Sequence, residues 1–154
     1  MNKFGLRNLA HFAEIAAAIT VVISLIYVGR QVEDNTAAIR SSTMQAVADS
    51  SDVALQNEAT NEDLARLRMI GNENVSALTE LEAFRYKGFN RGLWIRMQNI
   101  HAQQELGVLD DDFWYTYSRI ICSIYALPGV RTTWPDHVNV LAPDFVEFVE
   151  SCDR

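Results

Sequence analysis

The chain has 154 residues, of which 49% are hydrophobic, and its formal net charge is -7. Less one candidate membrane span, this length is enough for one domain with a hydrophobic core and too short for two. The acidic balance leaves no concentrated basic surface for phosphate groups. The composition therefore argues against nucleic acid as a partner.

An apolar run close to the amino terminus, residues 9–28, is the first predicted element. A helix of that length rises about 30 Å, which matches the hydrocarbon thickness of a bilayer. Only His11 and Glu14 interrupt the run, close enough to its start to reach water. Small residues precede the apolar core instead of following it, which disfavours a cleaved signal peptide. We predict a transmembrane anchor over residues 1–29, with an amphipathic or oligomer-buried helix as the alternative.

One face of this predicted span carries small side chains. Ala13, Ala17, Thr20 and Ser24 recur at intervals of four, three and four residues, with Glu14 beside them. Small residues let helices approach closely in lipid. We therefore expect this stripe to pack against another membrane protein or against a second copy in a homo-oligomer, in addition to contacting the lipid bilayer.

The first helix is predicted to continue past the membrane into an acidic helical domain, residues 30–154. Residues 31–56 contain neither proline nor glycine, and apolar residues recur there every seven positions, which favours a helix. A bend near Gly29 or Asn35 is left open. The recurring residues are Val32, Ile39, Ala46 and Val53.

The remaining elements also have helical signals, and the predicted fold class is all-α: a transmembrane helix continuing into a small helical bundle. Each helix is recognised by a capping residue at its start and by glycine or proline near its end. Residues 130–140 are left unassigned because Pro135 would break a helix. The predicted helices are a short one from Glu62 to about Gly71, the longest from Glu80 to about Leu106 after a Thr79–Glu82 capping box, one from Asp110 stopped by Pro128, and a last one from Pro143.

The longest predicted helix contains two glycines in its interior. Gly88 and Gly92 are four residues apart, and each costs about 1 kcal/mol relative to alanine in an exposed helix. Close approach of another helix would offset that cost, so both are interface candidates. The core candidates of this helix are Leu81, Phe84, Phe89, Leu93, Met97 and Ile100.

No catalytic, cofactor-binding or metal-binding signature occurs in the sequence. His11, His101 and His137 fall in three separate segments, and none belongs to a metal-binding motif. Nucleotide-binding glycine loops and hydrolase elbows are absent from the sequence. We therefore predict no catalytic residue, no cofactor and no metal.

Two cysteines, Cys122 and Cys152, lack metal-binding spacing. Buried free thiols are the default expectation, and a disulfide is the alternative if the domain faces an oxidising compartment. A basic cluster, Arg85, Lys87 and Arg91 with Arg96, is expected to form the solvated face of a helix. Contact with anionic lipid or an acidic partner is the competing interpretation.

The chain resembles a group of uncharacterised bacterial single-pass membrane proteins that have an amino-terminal span and a helical domain. The resemblance implies a location in the bacterial inner membrane but carries no assigned activity. The side on which the soluble domain lies is left open, with a slight preference for a cytoplasmic amino terminus from Lys3 and Arg7. The residues that carry the resemblance are Val21–Tyr27, Gln31, Asn35–Arg40, Glu105–Asp110, Pro128–Gly129, Trp134 and Pro143–Phe145.

Two functions follow as hypotheses from these features. The first is a membrane-anchored interaction or accessory protein that docks on a membrane complex or self-associates. The alternative is a sensory module in which the first helix transmits a shift or rotation through the membrane. An enzyme would require histidines and carboxylates to converge in one pocket.

Overall fold

The computed structural model describes the backbone of residues 3–153 and the side chains of residues 11–153. This part of the chain contains six α-helices, three short 3₁₀ turns and no strand, which confirms the predicted all-α class. Two compact units are separated after residue 42. The helices are α1 (Lys3–Thr60), α2 (Glu62–Glu73), α3 (Glu80–Glu105), α4 (Asp111–Tyr125), α5 (Pro128–Thr133) and α6 (Pro143–Ser151).

Helix α1 is continuous through Gly29 and Asn35, the two positions at which a bend was considered. Every residue from 11 to 42 is exposed. The part of α1 in the second unit is anchored by Val47, which is buried in a small cluster with Ile100 and Leu109. The predicted heptad residues are exposed. Within the second unit, α1 therefore packs through other residues, such as Val47.

Side-chain caps begin the helices where the sequence predicted them. Thr79 and Glu82 form the reciprocal capping box of α3: the Thr79 backbone N–H donates to Glu82 Oε2 over 2.9 Å, and the Glu82 N–H donates to Thr79 Oγ1 over 3.3 Å. Asp110 accepts from the Phe113 N–H at 2.7 Å and so caps α4. Asn61 caps α2 in the same way. These bonds satisfy amides that have no partner within the helix.

Helix ends agree with the prediction at two sites and differ at one. Gly107 follows α3 with a φ of +67°, the left-handed conformation that glycine adopts without strain. Helix α4 stops at Tyr125, just before Pro128, as predicted. Pro128 also begins the short helix α5, where its missing N–H costs nothing. Helix α2 continues past Gly71 to Glu73.

The main core is built around aromatic side chains of α3, α4 and α6. Trp94 is fully buried and meets Trp134 edge-on, with ring centroids 4.8 Å apart. Phe145 lies on another side of Trp94 at 6.3 Å. The buried members of this cluster are Leu67, Tyr86, Leu93, Trp94, Met97, Ile121, Tyr125, Val130, Trp134, Leu141, Phe145 and Val149.

Two predicted core residues of α3 are exposed and do not belong to the core. Leu81 and Phe84 are 68% and 73% exposed, whereas Leu93, Met97 and Ile100 are buried as predicted. With 3.6 residues per turn, a position two residues before the fully buried Tyr86 points away from the core. The apolar character of these two side chains did not indicate which face the helix buries.

Two helices approach closely at Gly71 and Gly129, and not at the predicted pair Gly88 and Gly92. A Cβ atom on Gly129 would overlap the Gly71 carbonyl oxygen and lie 2.8 Å from its carbon. A Cβ on Gly71 would lie 2.5 Å from the Tyr86 ring. Helices α2 and α5 therefore touch through backbone. A Cβ on Gly88 or Gly92 would have nothing within 4 Å.

Cys122 and Cys152 form a disulfide, so the default expectation of free thiols was wrong. Their Cα atoms are 5.3 Å apart, and the bond connects α4 to the residue that follows α6. Sequence spacing alone did not predict this pairing, because 30 residues separate the cysteines and several helices lie between them. The tertiary packing of α6 against α4 brings them together.

Candidate functional site

Helix α1 carries the strongest functional feature, a helix long and apolar enough to cross a membrane. Its most apolar window has a mean hydropathy of 2.1, and none of that window is buried. A soluble core helix with the same composition would be covered by protein. No described part of this chain covers residues 11–42.

The predicted small-residue stripe lies on this exposed part of α1. Ala13 and Ala17 are exposed along with Thr20 and Ser24, whose hydroxyls donate to backbone carbonyls one turn earlier over 2.8 Å. The hydroxyl groups of Thr20 and Ser24 therefore have hydrogen-bond acceptors within the helix, which is favourable in lipid, where water is absent. Glu14, the remaining predicted interface residue on α1, is also exposed.

Glu14 has a histidine neighbour near the start of the apolar run. Its Oε2 lies 3.5 Å from His11 Nδ1, one turn earlier on the same helix. The two side chains are 79% and 67% exposed, so this contact adds little stability in water. Both polar groups sit at one end of the run, which keeps the rest of it free of charge.

A second exposed surface lies on α3 and is called here the α3 face: Leu81, Phe84, Gly88, Gly92 and Ile95. Successive members are three or four residues apart, so they share one side of the helix. The three apolar members are between 51% and 73% exposed. Because both glycines lack a neighbouring side chain, no described residue of this chain fills the shallow region between these apolar residues.

Most of the predicted basic cluster has partners within the chain. Arg85 lies 3.8 Å from Asp63, and Lys87 Nζ lies 2.8 Å from Asp136 Oδ2. The hydrogen bond from Lys87 lowers the pKa of Asp136 below its usual value. Arg96 donates to a backbone carbonyl of α1 over 3.2 Å. These contacts favour the interpretation that the cluster balances the carboxylates of its own domain.

His101 is part of the aromatic core and is not in a polar site. It is 7% exposed and stacks on Phe148 with ring centroids 5.2 Å apart. Trp114 and Phe145 contact it at 5.5 and 5.6 Å. An imidazole surrounded by three aromatic rings acts as a packing element, and no carboxylate among the described side chains is hydrogen-bonded to it.

His137 is fully buried, and neither ring nitrogen has a hydrogen-bond partner. Burial lowers its pKa, and the positive charge of Arg91 lowers it further. Burial therefore favours the neutral form of this ring over the charged form. Among the described residues, no group of three or more histidine, cysteine, aspartate or glutamate side chains could hold a metal ion.

Sequence reasoning missed a cavity of about 280 Å³ in the second unit. Its walls come from the last turns of α1 and from α2, α3 and α4, so no single stretch of sequence contains it. The lining includes Leu55, Glu58, Arg68, Phe89, Leu93, Arg96, Met97, Ile100, Tyr117, Ile120 and Ile124.

Comparisons with known proteins identify no relative from which a role could be transferred. No protein-family model matches the chain. Searches of curated proteins and of solved structures likewise give no significant match. Fold and site define the protein at the level of class: an all-α protein with one amino-terminal helix able to span a bilayer.

Proposed function

We propose that this protein is a single-pass protein of the bacterial inner membrane whose helical domain serves as an interaction module, with a second copy of the chain as its partner. In this role α1 holds the domain at the membrane surface and restricts it to partners in the same membrane. The domain supplies contact surfaces and no chemistry of its own. The resemblance to bacterial single-pass proteins supports the choice of membrane.

The exposure of the apolar part of α1 carries this proposal. Ten large apolar side chains between residues 12 and 28 are each more than half exposed. Burying one such side chain contributes about 1.5–3 kcal/mol, so leaving this group in water costs on the order of 10 kcal/mol. That cost is comparable with the whole stability of a typical domain, about 5–15 kcal/mol. A lipid environment removes it.

The disulfide supports a particular orientation. Cys122 and Cys152 are both in the helical domain, and such bonds persist in oxidising compartments such as the periplasm. Lys3 and Arg7 precede the apolar run, as expected for a cytoplasmic amino terminus. Both observations favour a domain on the periplasmic side.

Self-association is favoured by the symmetry that a membrane imposes. Two copies inserted with the same orientation carry the stripe of Ala13, Ala17, Thr20 and Ser24 at the same depth, so the stripe can pack against itself. Thr20 and Ser24 already satisfy their hydroxyls within α1, so this contact requires no new polar partner. The α3 face offers a further surface for a second copy.

Fractionation tests the anchor and the orientation. We expect the full-length chain to remain in the membrane after an alkaline wash and to require detergent for release. In spheroplasts with an intact membrane, added protease should remove a tag placed after the last residue while a cytoplasmic marker survives. Recovery in the soluble fraction would refute the anchor, and protection of the tag would refute the orientation.

Cross-linking in native membranes tests the association. We expect Ala17→Leu combined with Ser24→Leu to reduce the cross-linked dimer several-fold, because larger side chains separate the helices. Ala18→Leu is the matched control, since position 18 lies on another side of α1. An unchanged dimer in the double variant, or equal losses in variant and control, would show that the stripe is not the interface. Cross-links to a different membrane protein alone would identify a heteromeric partner and refute self-association.

The continuity of α1 favours a sensory module as the second candidate. This helix runs unbroken from Lys3 to Thr60, and its residues Ser51 to Glu58 line the cavity. A ligand there would contact the same helix that contains the candidate span. Spectroscopic distances between labels on two α1 helices, measured with and without a ligand, would separate a sensor from a passive anchor.

A further inference from the structure

The cavity between α1, α2, α3 and α4 has walls suited to an aliphatic chain. Leu93, Met97 and Ile100 contribute one side from α3, and Ile120 and Ile124 contribute another from α4. Its volume of about 280 Å³ is near the lower end of the range of small-molecule sites, which is about 300–1,000 Å³. It is open to solvent at a rim where Leu55 is 65% exposed and Ile120 41% exposed.

The charged groups of this cavity have a net positive charge, although the protein is acidic overall. Glu58, Arg68 and Arg96 are the three charged residues in its lining, which gives one negative and two positive charges. Arg68 pairs with Glu58, and Arg96 is held by a single bond to a backbone carbonyl. The charge of Arg96 is thus not neutralised by a carboxylate among the lining residues.

Arg68 also has an unused donor. Its Nε is buried and has no hydrogen-bond partner, while its guanidinium lies 4.9 Å from the centre of the Phe89 ring. Burial lowers the pKa of Arg68, and the nearby charge of Arg96 lowers it further. A buried donor without a partner is unfavourable, because it has lost its hydrogen bonds to water. An anion at this end of the cavity would accept from the arginines and relieve their repulsion.

We propose that this cavity binds a single-tailed anionic amphiphile, of which a fatty acid is the simplest form, with its chain against the apolar walls and its acid group at Arg68 and Arg96. The apolar lining disfavours nucleotides and sugars, which need many polar partners. The single carboxylate, Glu58, disfavours a metal ion. The inference concerns the second unit alone and does not depend on whether α1 crosses a membrane.

The test uses the full chain in nanodiscs of phosphatidylcholine, because a detergent would compete for the cavity. A photoreactive fatty acid with a diazirine on its chain is cross-linked, and the labelled peptides are identified by mass spectrometry. We expect saturable labelling of residues 51–58, 89–100 and 117–124. Dodecanoate and dodecyl phosphate should compete with the probe, whereas dodecyltrimethylammonium should not.

Three variants separate the acid site from nonspecific partition into lipid. Loss of one charge-assisted hydrogen bond should weaken dodecanoate about 10- to 100-fold in Arg96→Gln, with dodecanol unaffected. Arg96→Lys retains the charge and should restore most of the affinity. Arg119→Gln, the matched change at an exposed arginine outside the cavity, should have no effect.

A further variant tests the chain-binding walls. Ile120→Glu places a carboxylate at a partly exposed position of the lining and should weaken dodecanoate and dodecanol alike. Labelling confined to residues 11–28, or equal affinities in Arg96→Gln and Arg119→Gln, would overturn the proposal. Equal competition by the cationic amphiphile would also overturn it, since the site would then lack any preference for an anion.

Discussion

Gly129→Ala adds one methyl group at the point where α5 crosses α2, and we expect it to be the most destabilising small substitution in the domain. Gly129 has a negative φ, so alanine is compatible with its backbone. The expected loss of stability therefore arises from the steric contact of the new methyl group alone. A Cβ there would overlap the carbonyl oxygen of Gly71 and lie 2.8 Å from the carbonyl carbon, inside the 3.0 Å limit that real Cβ contacts keep.

The magnitude follows from the nature of the obstacle. Overpacking of a core costs about 1–3 kcal/mol when side chains can rotate away. Here the obstacle is backbone, so two helices must separate and loosen the packing of Tyr86 against Gly71. We therefore expect a loss of about 3 kcal/mol or more. The same change in Gly88→Ala or Gly92→Ala meets nothing within 4 Å and should stabilise the helix by about 1 kcal/mol.

Urea unfolding of the full chain in nanodiscs, followed by tryptophan fluorescence, measures these differences, since Trp94 is fully buried in the core. The expected gap between Gly129→Ala and Gly88→Ala is about 4 kcal/mol for one identical chemical change. Equal midpoints for these two variants would refute the reasoning that the backbone of α5 touches α2. If Gly88→Ala raises stability but weakens dimer cross-linking, the α3 face is part of the interface between copies.

Three further changes have defined outcomes. Reducing the Cys122–Cys152 bond, or replacing both cysteines by alanine, should cost about 3.6 kcal/mol of unfolding free energy for a 30-residue separation, and equal urea midpoints with and without reductant would contradict this. Because burial lowers the pKa of His137, the unfolded state binds the proton first, so stability should be full above about pH 6.5 and fall as the pH drops below it. That decline should be smaller in His137→Phe, and an unchanged pH profile would contradict the assignment. Thr79→Ala removes the cap of α3 and should cost about 1 kcal/mol by thermal unfolding, and an unchanged midpoint would show that the cap contributes nothing.

Local signals predicted much of the helical architecture because caps and stops act over only a few residues. Thr79 and Asp110 begin α3 and α4 as expected, and Gly107 follows α3 in the left-handed conformation. Pro128 stops α4 as predicted, but the short helix α5 that it begins was not predicted from the sequence. The burial predicted for Leu81 and Phe84 was wrong, because hydrophobicity alone does not indicate which face a helix buries.

The candidate sites also differ in whether they could be predicted from the sequence. The stripe on α1 could be identified from sequence because its residues lie on one helix at regular intervals. The cavity could not, since Glu58, Arg68 and Ile120 come from three helices. The disulfide was left as an alternative because the sequence did not decide which compartment the domain faces, and it is the strongest support for the proposed periplasmic orientation.

The all-α class and the apolar amino-terminal helix could be predicted from local sequence, since helical periodicity, capping and hydropathy are properties of neighbouring residues. Only the packed helices show which glycines touch backbone, that the two cysteines pair, and where arginines meet an apolar cavity. These features join residues that are distant in the chain. They depend on how helices pack around Trp94, and a local pattern carries no information about that packing.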